Sequence, residues 1–311
     1  MMRWLPLILL VGCRGCRVAL PPSNNNNNED SEPQESPGPD SQPTDDSKPP
    51  ESQPPLFCDQ EEVEPNNTLS TPQIMPMEKW ICGHVDTVAD ADFYSFTTTE
   101  PGWVTIEVLA AAKGSSADMV LSLTDSDRSV GVYDSYLSTD PRISFPADEP
   151  GTYIGWLSEG NPLLSGEEYS WYFRASISKP ALGWSRNEVE PNGNTQDKAE
   201  EFTIDERVFG LIEDSEDTDW YHIVTPENAT AIILDVDAFR YGSPMDTTMI
   251  IRDPEGTLIK RVYSGEIDYD FDPHVEIKTE GSQDWYVQIF NPAEKGSRFH
   301  WYTLSITAEY E

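Results

Sequence analysis

The pentapeptide Glu62-Val63-Glu64-Pro65-Asn66 occurs again as Glu188-Val189-Glu190-Pro191-Asn192, at an offset of 126 residues (188 − 62). Two copies of one acidic, proline-stiffened segment call for two copies of one module, and the 311-residue chain is long enough for both. Downstream of each copy the motifs keep the same order. Ile81-Cys82-Gly83-His84-Val85 is matched by Val208-Phe209-Gly210-Leu211-Ile212, and Asp90-Ala91-Asp92-Phe93-Tyr94 by Asp217-Thr218-Asp219-Trp220-Tyr221.

Further on, Val104, Ile106 and Val108 alternate with other residues as Ile232, Leu234 and Val236 do, which is the period of a strand with one buried face. The Asp118–Leu123 run is paralleled by Asp246–Ile251, and Gly151–Trp156 by Asp284–Ile289, with Tyr286 taken as the counterpart of Tyr153. Tyr169–Ile177 and Tyr302–Ile306 close the two copies. Spacing drifts by a few residues while order is kept, as when loops vary around fixed strands. Short β-rich runs without a long amphipathic helix predict an all-β chain of two tandem antiparallel sandwiches. The expected boundaries are 57–179 for the first and 188–311 for the second, with 180–187 as a linker whose Pro180–Trp184 segment serves as hinge.

These motifs resemble the bacterial pre-peptidase C-terminal domain. The resemblance rests on the Glu-x-Glu-Pro-Asn opening, the glycine strand followed by Asp-x-Asp-aromatic-Tyr, and the late Gly151-Thr152-Tyr153 strand, which Ser282–Tyr286 replaces in the second copy. It implies jelly-roll-like β-sandwiches commonly appended to secreted peptidases. Some members bind calcium at the N-terminal edge and some bind matrix proteins.

Calcium takes six to eight oxygens from carboxylates, amides and backbone carbonyls. Alternate side chains of an extended Glu-x-Glu segment face one way, and a second strand carries the Asp-x-Asp pair. By analogy with the calcium-binding relatives, the first set would be Glu62, Glu64, Asn66, Asn67, Asp90 and Asp92. The second would be Glu188, Glu190, Asn192, Asp217 and Asp219, with Glu216 added; Gly193 stands where the first copy has Asn67. A second reading makes the pentapeptide a structural edge, with Asp92 and Asp219 bonding backbone amides in a turn. Cys58 and Cys82 flank the first pentapeptide and have no cysteine counterparts in the second copy; in an exported chain they are expected to pair.

Residues 1–12 place Arg3 before the short apolar run Trp4–Leu10, the form of a signal peptide rather than a span. Leu10-Val11-Gly12-Cys13 resembles a bacterial lipobox, which implies lipidation of Cys13, a membrane anchor and, with Arg14 next in the chain, the outer membrane of the cell envelope. Residues 13–56 are rich in Asn, Pro, Ser and acids and carry too little apolar surface to offset ordering entropy, so they are expected to be a disordered tether.

Net charge is −36, from 56 acidic and 20 basic residues, which disfavours nucleic acid as a partner. The four histidines, His84, His222, His274 and His300, form no His-Glu-x-x-His, and no Gly-x-Ser-x-Gly elbow is present. The chain is therefore expected to be a non-catalytic binding or structural lipoprotein whose partner is an envelope or extracellular protein or glycan. The alternative is a secreted hydrolase or an accessory subunit of a peptidase. Trp156, Trp171, Trp285 and Trp301 either fill the sandwiches or form a binding platform.

Overall fold

Apolar alternation sets the strands. Val104, Ile106 and Val108 are buried on one face of their strand, as are Ile232, Leu234 and Val236 on theirs. The computed structural model describes residues 58–310 apart from 125–128, 133, 136–137, 193–194, 264–271 and 294–295. Cys13, the expected leader, the expected tether and Gly193 lie outside the described residues.

The first sandwich holds β1 (Gln60–Glu61), β2 (Gln73–Ile74), β3 (Ile81–Val85), β4 (Ala91–Thr98) and β5 (Gly102–Leu109). It continues with β6 (Met119–Thr124), β7 (Ser129–Val132), β8 (Arg142–Ala147), β9 (Gly151–Glu159) and β10 (Gly166–Ser178). Two sheets result, in the orders β1-β3-β10-β5-β8 and β2-β4-β9-β6-β7.

The second sandwich holds β11 (Arg186–Asn187), β12 (Glu200–Phe202), β13 (Arg207–Leu211), β14 (Asp219–Val224) and β15 (Ala229–Asp237). Then come β16 (Thr248–Arg252), β17 (Leu258–Tyr263), β18 (His274–Lys278), β19 (Asp284–Phe290) and β20 (Trp301–Tyr310). Its sheets run β11-β13-β20-β15-β18 and β12-β14-β19-β16-β17. The order is that of the first sandwich, strand for strand.

The sheets are mixed rather than purely antiparallel. β1 pairs with β3, β2 with β4, β11 with β13 and β12 with β14 in parallel, because each short strand reaches the sheet edge by a connection instead of a hairpin. One register differs from the sequence reading. Tyr153 lies opposite Phe96 and Trp285 opposite Ile223, so Trp285 rather than Tyr286 is the counterpart of Tyr153. A one-residue shift reverses the face: Trp285 is buried, and Tyr286 stacks outside on His222 with ring centroids 4.8 Å apart.

The sandwiches fall in one compact unit. Phe209, Phe299 and Trp301 of the second are buried in the same hydrophobic cluster as the core of the first. Phe145 meets Phe299 edge-on at 4.9 Å and Trp103 meets Trp301 at 4.8 Å. Trp301 Nε1 donates to the Ser144 carbonyl at 2.6 Å, and Ser144 N to the Gly242 carbonyl at 2.7 Å. Within the expected linker 180–187, Arg186 and Asn187 form β11. Trp184, at the end of the segment expected to serve as hinge, stacks on Phe209. Of the four tryptophans considered, Trp171, Trp285 and Trp301 are buried, and Trp156 stacks on Phe93.

Candidate metal centre

Each pentapeptide is a strap laid across the ends of two strands from different sheets. In the first sandwich Glu62 N donates to the Cys82 carbonyl at 2.9 Å, fixing the strap to β3. Val63 N donates to Gln73 Oε1 at 2.8 Å. The Glu64–Pro65 bond is cis, and Phe93 N donates to the Asn66 carbonyl at 3.0 Å, which brings the strap to the start of β4. The second copy repeats these bonds from Glu188 N to Phe209 O at 2.8 Å, Val189 N to Glu200 Oε2 at 3.0 Å and Trp220 N to Asn192 O at 3.3 Å, again with a cis Glu190–Pro191.

The result is a cluster of three carboxylates in each sandwich. Oxygens of Glu62, Glu64 and Asp92 lie within 4.8 Å of one another, and so do those of Glu188, Glu190 and Asp219. Asp92 and Asp219 are buried, at 2% and 0% exposure, whereas Glu64 and Glu190 reach solvent. Asn66 and Asn192, each 1% exposed, turn their amides to the cluster. Asn66 Nδ2 donates to Glu62 Oε1 at 2.9 Å and Asn192 Nδ2 to Glu188 Oε2 at 3.2 Å.

Within the two clusters four buried oxygens have no hydrogen-bond partner: Asn66 Oδ1, Asp92 Oδ1, Asn192 Oδ1 and Asp219 Oδ1. Buried acceptors are almost always partnered, and an unpartnered one costs about 1–3 kcal/mol. The same two positions are orphaned in both copies. Hard oxygens, one buried, one half-buried and one at the solvent edge, with an amide oxygen beside them, suit a hard divalent cation such as calcium rather than a softer metal.

Burial and mutual repulsion are visible in the proton affinities. Burial, then the charge of Glu62, pushes Asp92 up to about 10. Glu62 is raised mainly by burial, and Glu188 is pushed up to about 7 by burial, with Glu190 adding to it. Asp219 is raised by burial and by the charge of Glu188.

Asp90 and Asp217 lie outside these groups of three, though the charge of Asp90 acts on Asp92 and that of Asp217 on Asp219 and Glu190. Asp90 precedes β4 instead of lying in it, so the spacing of two does not turn it the same way as Asp92. Its Oδ2 accepts from Asp86 N at 2.8 Å and its Oδ1 from Asn67 Nδ2 at 2.8 Å. Asp217 likewise accepts from Glu213 N at 2.7 Å. Glu216 is exposed. The turn role expected of Asp92 and Asp219 in the second reading falls instead to Asp90 and Asp217, while Asp92 and Asp219 enter the carboxylate clusters.

Three tyrosines at the clusters escaped the sequence reading. Tyr94 donates to Glu62 Oε1 at 2.8 Å. In the second copy Tyr302 donates to Asp219 Oδ2 at 2.6 Å and lies 2.7 Å from the Tyr221 hydroxyl. The duplicated aromatic after each Asp-x-Asp signals Tyr94 and Tyr221; nothing signals Tyr302, since Trp171 occupies its place in the first copy. Cys58 and Cys82 are joined as a disulfide between the strap's approach and β3.

Residues 90–154, which run from the turn aspartate through β4 and into β9, match the family model of the bacterial pre-peptidase C-terminal domain. The match falls within the first sandwich. Pre-peptidase C-terminal domains are non-catalytic β-sandwich modules found with peptidases, and the second sandwich repeats the first one's ten strands in the same order. Similar solved structures include the pre-peptidase C-terminal domain of a collagenase from Bacillus anthracis, at 15% identity over 33% of this chain and 93% of that one, with a TM-score of 0.28. The M60 catalytic domain of Clostridium perfringens ZmpB with its two CBM51 domains is similar at 7% identity over 75% of this chain and 34% of that one, TM-score 0.22. The CUB1-EGF-CUB2 region of rat MASP-1 is similar at 9% identity over 75% and 100%, TM-score 0.22. No curated protein matches the chain.

Proposed function

We propose that this chain is a bacterial envelope lipoprotein presenting a tandem pair of non-catalytic binding sandwiches, each stabilised by a calcium ion at its strap. The observation that carries the reading is the repeated cluster: three converging carboxylates with an orphaned Asn Oδ1 and an orphaned Asp Oδ1 in both copies.

Glu62, Glu64, Asp92 and Asn66 would hold the first ion, and Glu188, Glu190, Asp219 and Asn192 the second. A bound divalent ion supplies the positive charge that three close carboxylates lack. The residues themselves do the positioning. Glu62 and Glu188 are fixed through their own amides to β3 and β13, and Asp92 and Asp219 stand on β4 and β14 of the opposite sheet, so a shared ligand set ties strap and sheets together. The cluster's repetition in both modules fits a module feature better than one active centre, which favours binding over hydrolysis.

Cys13 would anchor the chain, and residues 13–56 would carry the sandwiches away from the membrane towards a protein or glycan partner. Among the described residues no helix is long and apolar enough to cross a membrane. Calorimetric titration of the chain from residue 57 onward with calcium tests the cation reading: two binding events are expected, one removed by Glu62→Gln and the other by Glu188→Gln. Absence of any binding heat at millimolar calcium contradicts it. For the anchor, Cys13→Ser should release the full chain from membranes, and retention there contradicts lipidation at Cys13.

A further inference from the structure

The two straps are clamped by different chemistry, and the difference reaches across the interface. In the first sandwich the clamp is the Cys58–Cys82 disulfide. The pairing of β11 with β13 repeats that of β1 with β3, with Asn187 opposite Phe209 as Glu61 is opposite Cys82. Ser185 N bonds the Arg207 carbonyl as Asp59 N bonds that of Trp80. Counting from these pairs, Trp184 occupies the place of Cys58 and Phe209 that of Cys82. The two rings stack, with centroids 4.7 Å apart and planes at 26°. A non-covalent stack thus stands where the first module has a covalent bond.

A disulfide holds its two segments whatever surrounds it, but an aromatic stack at a surface is weak unless another group excludes water from it. That group comes from the first sandwich. Trp103 lies 5.9 Å from Trp184 and 6.3 Å from Phe209, centroid to centroid, and is itself wedged against Trp301. Phe209, which also stacks on Trp301 of its own sandwich with centroids 6.2 Å apart, is only 6% exposed. Its carbonyl receives Glu188 N, and Leu211 N, two residues further on, donates to Glu188 Oε1 at 2.6 Å. Trp184 is four residues from Glu188 and further fixes the approach by donating Nε1 to Asn187 Oδ1 at 2.8 Å.

We infer that Trp103 of the first sandwich is a positioning residue for the carboxylate cluster of the second, closing the Trp184–Phe209 clamp as the Cys58–Cys82 bond closes the first. The second cluster is then formed fully only when the sandwiches are docked, while the first is independent of docking and sensitive to thiol reduction. The affinity part of this inference rests on the cation reading above; the clamping part does not.

Hydrogen exchange on the chain from residue 57 onward tests the clamp without any ion. Trp103→Ala should speed exchange of the Glu188 and Leu211 amides by about tenfold or more while leaving the Glu62 amide protected, and reduction by dithiothreitol should do the reverse. Should Trp103→Ala lose cooperative melting, Trp103→Leu keeps an apolar filler without the ring and should show the same selectivity. Calcium titration then reads each cluster alone. In a Glu62→Gln background, Trp103→Ala should weaken the remaining site about tenfold and reduction should not; in a Glu188→Gln background the pattern should invert. Equal loosening of both straps by Trp103→Ala, or an unchanged Glu188 amide, overturns the inference. Selective loosening of Glu188 with no calcium binding in either background would sustain the clamp and overturn the cation reading instead.

Discussion

Tyr302 donates its hydroxyl to Asp219 Oδ2 at 2.6 Å, while the first sandwich places Trp171 at the equivalent register position opposite Gly83. The second cluster therefore has a phenol donor on a carboxylate that in the first cluster lacks one. Tyr302→Phe removes a fully buried donor and leaves that oxygen of Asp219 without it, which should destabilise the chelator-treated chain by about 1–3 kcal/mol. Urea unfolding at constant slope measures it. Trp171→Phe at the matching position should act through packing alone and show no dependence on pH.

Proton release should accompany cation binding. Asp92, pushed up to about 10, and Glu188, pushed up to about 7, hold protons near neutrality when no cation balances them. Since an ion needs the charged forms, binding should displace protons and tighten as pH rises from about 6 to 8. Their contribution to the ion-free fold has the opposite sign. A carboxyl whose folded value is raised stabilises most below its unfolded value, near 4, and loses that contribution as pH rises through the folded value. Titrations in buffers of different ionisation enthalpy measure the released protons; identical heats in all of them would contradict the linkage.

A histidine gives a separate pH signature. His222 Nδ1 and Nε2 lie 2.8 Å from Glu201 Oε1 and 2.8 Å from Asp284 Oδ1, an arrangement in which both nitrogens can donate only in the charged ring. Burial pulls its proton affinity down, but the two carboxylate hydrogen bonds outweigh that and raise it above the ordinary value. The stabilisation is full below about pH 6.5 and is lost as pH rises through the raised value. Because the partners are solvent-screened, His222→Gln should cost only about 0.5–1 kcal/mol near pH 6 and almost nothing near pH 9. Paired melts at the two pH values test this.

Asp140 shows a structural use of acid that is unrelated to cations. Its carboxylate receives the amides of Ala110, Ala111 and Ala112 at 3.0, 2.8 and 2.9 Å, and Asp272 receives those of Phe239 and Arg240 at the matching turn of the second sandwich. Asp140→Ala should cost about 2 kcal/mol or more, because several turn amides lose their acceptor at once. The loss should be the same in chelator and in calcium, which separates it from substitutions in the clusters.

The repeat was legible because it is written in residues whose chemistry is local: Glu-x-Glu-Pro-Asn, a glycine crowded by Trp171 or Tyr302, and alternating Val and Ile. Asp90 and Asp92 were not separable, since the spacing of two implies one face only if both lie in the strand, and β4 begins between them at Ala91. Residue type matches Tyr286 to Tyr153, whereas hydrogen-bond register matches Trp285. The equivalence of Cys58–Cys82 with Trp184–Phe209 has no sequence signature, because a covalent bond and a ring stack share function without sharing atoms. The docking of Trp103 on Trp301 likewise depends on a module arrangement that neither module's pattern encodes.

Thermal unfolding of the chain from residue 57 onward, compared between excess chelator and millimolar calcium, tests the central claim most directly. With dissociation constants of extracellular type, tenfold excess calcium adds about 1–2 kcal/mol per cluster, and the melting temperature should rise by roughly 5–10 °C. Glu62→Gln and Glu188→Gln should each remove part of that rise, and the double variant all of it. A melting temperature indifferent to calcium in the unmodified chain, or a rise that survives in the double variant, would contradict the account.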